Sequence, residues 1–187
     1  MKTTQRREGI SLEYLVKKAR QGDGHAFIEL MEANKQNMYK VARSYFSNEE
    51  DIADAIQDTI ESCYRSLPYL DKTEYFRTWL TRILINKCID IIKKNKRERP
   101  VDVFPEQGEI CMDLRHCEFE ELMRSLDEKY RTILLLYYGE GFKISEIAQL
   151  LDMEENTVKT RLARGRSSGR YGAPRAQPPD ICRMQHK

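Results

Sequence analysis

The side chains best suited to chemistry lie near residues 156–166, where cationic and hydrogen-bonding groups are interleaved. Between Glu155 and Arg166 every charged side chain that follows Glu155 is basic. The side chains that can bond to DNA here are Asn156, Thr157, Lys159, Thr160, Arg161, Arg164 and Arg166. Arginine and lysine bind phosphates and guanine edges, while asparagine and threonine donate and accept hydrogen bonds at other base edges. This combination predicts contact with duplex DNA.

The spacing of apolar residues places these side chains on the second of two short helices. One face of each helix is apolar, with Ile144, Ile147, Ala148 and Leu151 on the first and Val158 and Leu162 on the second. Because Ala148 is small, the helices can cross closely there. This pattern predicts a helix-turn-helix, whose second helix enters the major groove.

A second candidate DNA surface lies on the helix predicted over residues 76–92, which is apolar over most of its circumference. One narrow polar stripe runs along this helix and continues past residue 92. It is formed by Arg82, Asn86, Lys93 and Arg97. The amide of Asn86 offers both a donor and an acceptor to a base. Tyr69 and Tyr75 flank the preceding loop, and aromatic rings beside cations can stack on unpaired bases. The alternatives are that Asn86 only bonds a neighbouring loop and that the aromatic residues are core.

An acidic helix is predicted from Asp51 to Tyr64. Ile52, Ile56, Thr59, Ile60 and Cys63 share its core face, and the opposite side carries Asp51, Asp54, Gln57, Asp58 and Glu61. A solvated helix usually mixes in Lys or Arg at i+4, which adds about 0.2–0.5 kcal/mol per pair. The absence of such partners between residues 49 and 62 favours a basic protein partner, with an ordinary solvated face as the alternative.

Two arrangements raise the possibility of metal chemistry. Glu50, Asp51 and Asp54 with Glu118 and Glu121 give carboxylates at helical spacing, as a magnesium-dependent nucleotide hydrolase needs. The chain offers no phosphate-binding loop, however, and the two carboxylate groups lie on opposite sides of a predicted linker. Cys111, His116 and Cys117 match no common zinc spacing. We therefore expect no metal, no cofactor and no catalytic residue.

Composition fits a cytosolic protein whose charges are segregated. The 187 residues are 40% hydrophobic and 33% charged, with a net charge of +2. Residues 49–62 are acidic and residues 77–99 are mainly basic, which fits one partner surface and one nucleic-acid surface. No signal peptide or membrane span is visible. Cys63 and Cys88 fall on apolar helix faces, as reduced core cysteines do.

Helical signals dominate, so the predicted fold class is all-α with two small helical domains joined by a flexible linker. Residues 1–10 are expected to form a mobile basic arm, residues 11–97 the first domain and residues 98–116 the linker. Residues 117–166 are expected to form the helix-turn-helix domain, followed by a disordered tail over 167–187. Capping signals at Ser47 with Glu50, and at Thr73, are expected to start the third and fourth helices.

Four segments in this order resemble the extracytoplasmic-function sigma factors of bacteria, group 4 of the sigma-70 superfamily. They are EEDIADAIQDTIESCYRSLPYLD (49–71), YFRTWLTRILINKCIDIIKKNKR (75–97), SLDEKYRTILLLYYGEGFKISEIAQLL (125–151) and NTVKTRLARGR (156–166). The likeness covers about residues 11–166. It implies a promoter-specificity subunit of RNA polymerase that has no catalysis of its own.

The resemblance also implies roles for the residues above. The acidic helix matches the surface for the clamp helices of the largest polymerase subunit. The loop with Tyr69, Asp71, Lys72 and Tyr75, together with the Asn86 stripe, matches the element that captures a flipped base of the melted −10 strand. The helix-turn-helix matches the domain that reads the −35 element and docks on the flap of the second-largest subunit. An anti-sigma factor, often membrane-bound, is the other implied partner.

Three positions depart from the family pattern. Lys143 and Glu154 stand where Ser or Thr commonly caps a helix, so both helix starts are expected to be weakly capped, by about 1 kcal/mol each. The last helix is expected to stop at residues 167–169, one or two turns short, which weakens −35 binding and flap docking. A stand-alone operator-binding regulator remains the alternative, and it accounts for the helix-turn-helix but not for the Asn86 stripe, the acidic helix or the linker.

Overall fold

The computed structural model describes residues 11–98 and 126–168, and both ranges are helical without strands. This confirms the all-α prediction. The first range forms the N-terminal helices α1 (Leu12–Arg20), α2 (Gly24–Arg43), α3 (Glu49–Ser66) and α4 (Phe76–Glu98). The second forms the C-terminal helices α5 (Glu128–Leu134), α6 (Ile144–Leu150) and α7 (Glu155–Ser168). The expected basic arm, nearly all of the linker and the predicted tail from residue 169 onward lie outside the described residues. The first two residues of that tail, 167 and 168, are helical and belong to α7 rather than to a disordered segment.

Helix α4 lies at the centre of the N-terminal helices, against α2 and α3. Leu84, Ile85 and Cys88 on its inner face are at most 1% exposed. Of the core face predicted for α3, Ile52, Thr59 and Cys63 are buried, and Ile56 and Ile60 are partly buried against the same core. Ala55, which was not predicted, is buried as well. Burying these apolar side chains supplies most of the stability of such a bundle, and it fixes which faces of α3 and α4 point to solvent.

Two predicted helix starts are wrong in detail. Helix α3 begins after Asn48, whose side chain makes no cap hydrogen bond. Ser47 lies one residue too early, in a bend where its carbonyl accepts a hydrogen bond from Arg43 Nη1 at 2.5 Å. Thr73 begins a short 3₁₀ turn that ends at Tyr75, and α4 starts only at Phe76. By contrast, Asp23 caps α2 as its type favours, accepting from Ala26 N at 3.1 Å.

The C-terminal helices pack closely around a glycine. Helix α5 continues as a π-helical turn over Leu135–Gly139 and the chain reverses at Gly141, whose φ of +70° suits glycine. Further on, a Cβ at Gly165 of α7 would lie 2.8 Å from Leu134 Cδ1 and 3.1 Å from Tyr130 Cβ of α5. The absent side chain lets α7 lie directly on α5, which holds the exposed face of α7 in place.

The N-terminal and C-terminal helices also contact each other. Helix α6 packs on α4, and two side-chain contacts join the groups, Ser44 with Thr132 and Arg77 with Glu140. The two reading surfaces predicted from the sequence therefore belong to one packed body.

Candidate nucleic-acid interface

Helix α7 presents a polar face to solvent because its apolar face is fully occupied. Val158 and Leu162 are 0% and 5% exposed and pack in the helical core. Most of the predicted reading side chains on the other face are exposed: Asn156, Thr157, Lys159, Thr160, Arg164 and Arg166. Arg161 is half-buried. Six of the seven predicted residues are therefore available to a groove in this arrangement.

The contacts within α7 leave its hydrogen-bonding groups accessible to DNA. Lys159 Nζ lies 3.8 Å from Glu155 Oε2, an exposed pair with both side chains more than half accessible, and such pairs are weak. The Thr160 hydroxyl donates to the Asn156 carbonyl at 2.8 Å, so the threonine oxygen remains an acceptor. Helix α7 reaches Ser168, and the chain beyond it lies outside the described residues.

Helix α6 begins without a side-chain cap, and the turn after it contains a left-handed backbone conformation. Lys143, the residue before α6, gives no side-chain cap, as expected for a residue that has only donors. Glu146 compensates in part, because its Oε2 accepts from Lys143 N at 2.8 Å. Asp152 takes a left-handed φ of +52°, a conformation that aspartate tolerates better than most residues. Within the same turn, Met153 N donates to the Ala148 carbonyl at 2.9 Å, which ties the chain before α7 to the end of α6.

The predicted polar stripe on α4 is exposed. Arg82, Asn86 and Lys93 all face solvent, while Arg97 lies on the same helix with its side chain outside the described residues. Within residues 11–98 and 126–168, the Asn86 amide has no hydrogen-bond partner in the structure. This disfavours the alternative that Asn86 only bonds a neighbouring loop.

The polar stripe also carries an apolar residue that the sequence analysis does not place there. Ile89 belongs to the largely apolar helix predicted over residues 76–92, yet it is 36% exposed. Its position three residues after Asn86 and four before Lys93 puts it on the same helical face. The sequence contains the signal for this exposure, because a helix turns by about 100° per residue and Ile89 therefore lies on nearly the same face as Asn86.

The loop before α4 exposes two aromatic rings. Tyr69 is 83% exposed and Tyr75 is 54% exposed, so neither ring is core. Leu67 and Leu70 are buried and anchor the loop, and Lys72 Nζ lies 5.6 Å from the centroid of the Tyr75 ring. Asp71 is exposed as well. Exposed rings with a cation beside them can accept stacked bases.

The acidic face of α3 is only partly unpaired. Asp54, Gln57 and Asp58 are exposed. Asp51 accepts hydrogen bonds from Asn95 Nδ2 of α4 at 3.2 and 3.3 Å, and Glu61 pairs with Arg65 one turn along. No basic partner lies between residues 49 and 62, as the sequence indicates. Asp51 and Glu61 nevertheless have partners outside that segment, Asn95 on another helix and Arg65 one turn along, which the spacing within the segment does not reveal.

Two buried thiols lie behind these faces. Burial raises the pKa of Cys63 and of Cys88 from 9.0 to about 12, because the charged thiolate loses its hydration. Both thiols act as small apolar core groups. Across the described residues no cluster of His, Cys, Asp or Glu has metal-site geometry, and no helix there has the length and apolarity to span a bilayer. Glu118 and Glu121, which the hydrolase alternative needs, lie outside those residues.

Comparison with protein families gives two matches in sequence order. Residues 30–98 match sigma-70 region 2, and residues 118–168 match sigma-70 region 4. The first match covers the Asn86 stripe and the acidic face, and the second covers the helix-turn-helix. A stand-alone regulator does not account for a region 2.

Individual relatives cover most of this chain. It is 33% identical over 138 residues to the RNA polymerase sigma factor SigV of Bacillus subtilis, covering 70% of this chain and 81% of SigV. It is 28% identical to the SigW sigma factor of the same organism, covering 82% of this chain and 91% of SigW. The fold is similar to CnrH in complex with the cytosolic domain of CnrY, with a TM-score of 0.61, 26% identity and coverage of 83% and 92%. The RpoE–NepR complex of Bartonella quintana shares the fold at a TM-score of 0.65 and 23% identity, over 76% and 92% of the chains.

Proposed function

We propose that separate surfaces of this chain bind the polymerase, the −10 element and the −35 element. The chain belongs to the extracytoplasmic-function sigma factors of the sigma-70 family and directs promoter-specific transcription initiation by RNA polymerase. The N-terminal helices bind the polymerase and read the −10 element. The C-terminal helices read the −35 element. The bond-forming chemistry belongs to the polymerase, and this chain supplies specificity alone.

The −35 surface is α7. Its exposed side chains are Asn156, Thr157, Lys159, Thr160, Arg164 and Arg166, and the half-buried Arg161 completes the set. An arginine bonded to a guanine edge, or an asparagine bonded to an adenine edge, gives about 1–3 kcal/mol of discrimination against the wrong base. Close packing around Gly165 supports a reading role for α7, since it holds this helix firmly on α5.

The −10 surface combines the α4 stripe with the loop before it. Arg82, Lys93 and Arg97 hold the phosphates of the melted strand, and Asn86 bonds the edge of a flipped base. Tyr69 and Tyr75 stack on bases, with Asp71 and Lys72 at the rim. Extruding a base costs a few kcal/mol, which stacking at about 1–3 kcal/mol per base offsets. The absence of a partner for Asn86 among the described residues supports this role.

The polymerase surface is the exposed part of the acidic face of α3. Asp54, Gln57 and Asp58 form its centre and meet a basic partner on the clamp helices of the largest subunit. Asp51 and Glu61 lie at its edges and already have partners, so we expect smaller contributions from them. Charge complementarity of this kind mainly sets association rate and specificity.

Further proposals follow from the same role. Residues 11–97 act as region 2, residues 98–116 as the connecting linker and residues 117–166 as region 4, which also docks on the flap. The chain works in the cytoplasm, where the nucleoid lies.

Related structures show CnrH with the cytosolic domain of CnrY and RpoE with the anti-sigma factor NepR. We therefore propose an anti-sigma partner for this chain, which holds it at the membrane if that partner is membrane-bound.

The observation that carries the proposal is the coexistence of the exposed Asn86 stripe and the exposed helix α7 on one chain. The test is promoter binding with and without core RNA polymerase. We expect tight, sequence-selective binding only when core is present. Equal affinity without core would identify an operator-binding regulator instead.

A further inference from the structure

An exposed apolar side chain lies on the polar stripe of α4. Ile89 is 36% exposed, whereas the other four isoleucines of this helix are buried or half-buried. Covering an apolar side chain is favourable, because its surface is removed from water. A single exposed isoleucine is common on protein surfaces, so the position of Ile89 on the helix, rather than its exposure, points to a particular partner.

Ile89 lies between Asn86 and Lys93 along α4 and faces nearly the same way. With 3.6 residues per turn, it is about 60° from Asn86, 40° from Lys93 and 20° from Arg82 around the helix axis. These three polar side chains are exposed. Lys93 Nζ lies 4.0 Å from Asp90 Oδ1 in an exposed pair, and such pairs are weak. A ligand that binds the cations and the amide of this stripe therefore meets Ile89 as well.

The spacing of Asn86 and Ile89 along the axis is close to the spacing of bases in a nucleic-acid strand. The two residues are about 4.5 Å apart along the helix, at 1.5 Å per residue. Successive bases of one strand are about 3.4 Å apart. A strand whose base bonds the Asn86 amide can therefore place a neighbouring base on Ile89. Arg82 and Lys93 lie on either side of this pair, where they can hold phosphates, which carry no sequence information.

The side chain of Ile89 selects for the apolar part of a base. Thymine presents a C5 methyl group at its major-groove edge, and apolar side chains make contact with that methyl. Ile89 has no side-chain donor or acceptor, so the polar groups of another base placed against it lose water and receive no hydrogen bond in return, which is unfavourable. Ile89 therefore favours thymine both by attraction to the methyl group and by a penalty against the other bases.

We propose that Ile89 is a specificity-determining residue, which binds the methyl group of a thymine next to the base held by Asn86. The proposal rests on the proposed function, because it assigns a base preference within the −10 element that α4 reads. Asn86 reads the hydrogen-bonding edge of one base, and Ile89 reads the methyl group of its neighbour.

Replacing thymine by uracil tests this contact, because uracil lacks only the methyl group. Promoters are selected from a library by holoenzyme formed from core polymerase and this chain, and Asn86→Ala identifies the base that Asn86 reads as the position whose preference it relaxes. Thymines of the −10 element are then replaced one at a time by uracil, and holoenzyme affinity is measured by fluorescence anisotropy. We expect about fourfold weaker binding for uracil next to the base read by Asn86, the effect of one buried methyl group.

Variants of Ile89 connect that effect to this side chain. Ile89→Ala should bind the thymine promoter about fourfold more weakly and should bind the thymine and uracil promoters equally well. Ile89→Val keeps a branched apolar side chain and should retain most of the uracil effect. Lys93→Ala is the matched control on the same face, and it should weaken both promoters alike while keeping the ratio between them. A merely structural role of Ile89 would also leave that ratio unchanged.

Three results would contradict the expectation in different ways. Holoenzyme that initiates but selects no thymine beside the base read by Asn86 would overturn the assignment of Ile89. A uracil effect of equal size in Ile89→Ala would also overturn it, because another residue would then contact the methyl group. If the chain directs no initiation although its circular dichroism is helical, the proposed function fails, and the assignment of Ile89 fails with it.

Discussion

Asp51 of α3 accepts two hydrogen bonds from Asn95 of α4, at 3.2 and 3.3 Å. The pair joins the helix proposed to bind polymerase to the helix proposed to read the −10 element. Together with the core packing of α3 on α4, it holds the acidic face in place relative to the Asn86 stripe. Binding at one surface therefore presents the other at a defined angle, and the acidic residues of α3 divide into those that hold the fold and those that are free for a partner.

That division gives the first prediction. Asp54→Lys with Asp58→Lys should weaken core polymerase binding about tenfold or more, because like charges then face the basic partner. The matched control Glu29→Lys reverses an exposed acidic residue on α2 and should bind normally. Surface plasmon resonance with immobilised core measures both, and unchanged affinity in the double variant would remove α3 from the polymerase surface.

Asn86→Ala should impair promoter opening and relax −10 preference while core binding stays intact. We expect a loss of about 1–3 kcal/mol of discrimination at one position, the value of a good base contact. Permanganate footprinting reports opening, and core affinity is measured in parallel. Loss of core binding or of thermal stability would make Asn86 a structural residue instead.

Gly165→Ala should destabilise the C-terminal helices by about 1–3 kcal/mol, as overpacking does, because the new methyl meets Leu134 Cδ1 at 2.8 Å. Urea denaturation followed by circular dichroism measures the free energy of unfolding. Gly24→Ala is the matched control, since a Cβ there has no neighbour within 4 Å. A stable Gly165→Ala chain would show that α5 and α7 are not in close contact.

The buried thiols predict an alkaline loss of stability. Burial raises the pKa of Cys63 and Cys88 to about 12 in the folded chain, from 9.0. Below about pH 9 both states hold the protons and the thiols contribute no pH dependence. Between about pH 9 and 12 only the unfolded state loses them, so each thiol lowers the free energy of unfolding by roughly 1.4 kcal/mol per pH unit.

Comparing the chain with Cys63→Ala/Cys88→Ala isolates this effect from other titrating groups. The double variant should show a shallower fall in stability over that pH range, measured by urea denaturation. Iodoacetamide at pH 8.5 provides a second readout, because the native chain should leave both thiols unmodified. Parallel pH curves for the two chains, or rapid native alkylation, would contradict the burial of these thiols.

The sequence could predict whatever follows from periodicity within one helix. The spacing of apolar residues predicts the core faces of α3 and α4 and the exposed face of α7. The glycine at 141 likewise favours a break in the helix there. Contacts between residues far apart in the chain were not predictable. Asn95 lies 44 residues from Asp51, and Glu140 lies 63 residues from Arg77. Gly165 resembles an ordinary helix-weakening glycine until α5 is seen against it.

Ile89 is a case in which residue type and helix position disagree. Its apolar side chain favours burial, but its position on α4 leaves it exposed. A run of isoleucines in α4 favours burial of every member, yet a helix of this kind buries only the faces that other helices cover. Once Asn86 is placed on the solvent side, the residue one turn later must lie there too. Periodicity taken from Asn86 rather than from the apolar residues would have found it.

The most direct test of the account is transcription in vitro with core polymerase on a randomised promoter library, read by sequencing the initiated transcripts. We predict initiation that depends on this chain and that selects sequence at two blocks, near −35 and near −10. Asn86→Ala should relax only the −10 block, and Lys159→Ala only the −35 block. No chain-dependent initiation, or a single selected block unaffected by either variant, would contradict it.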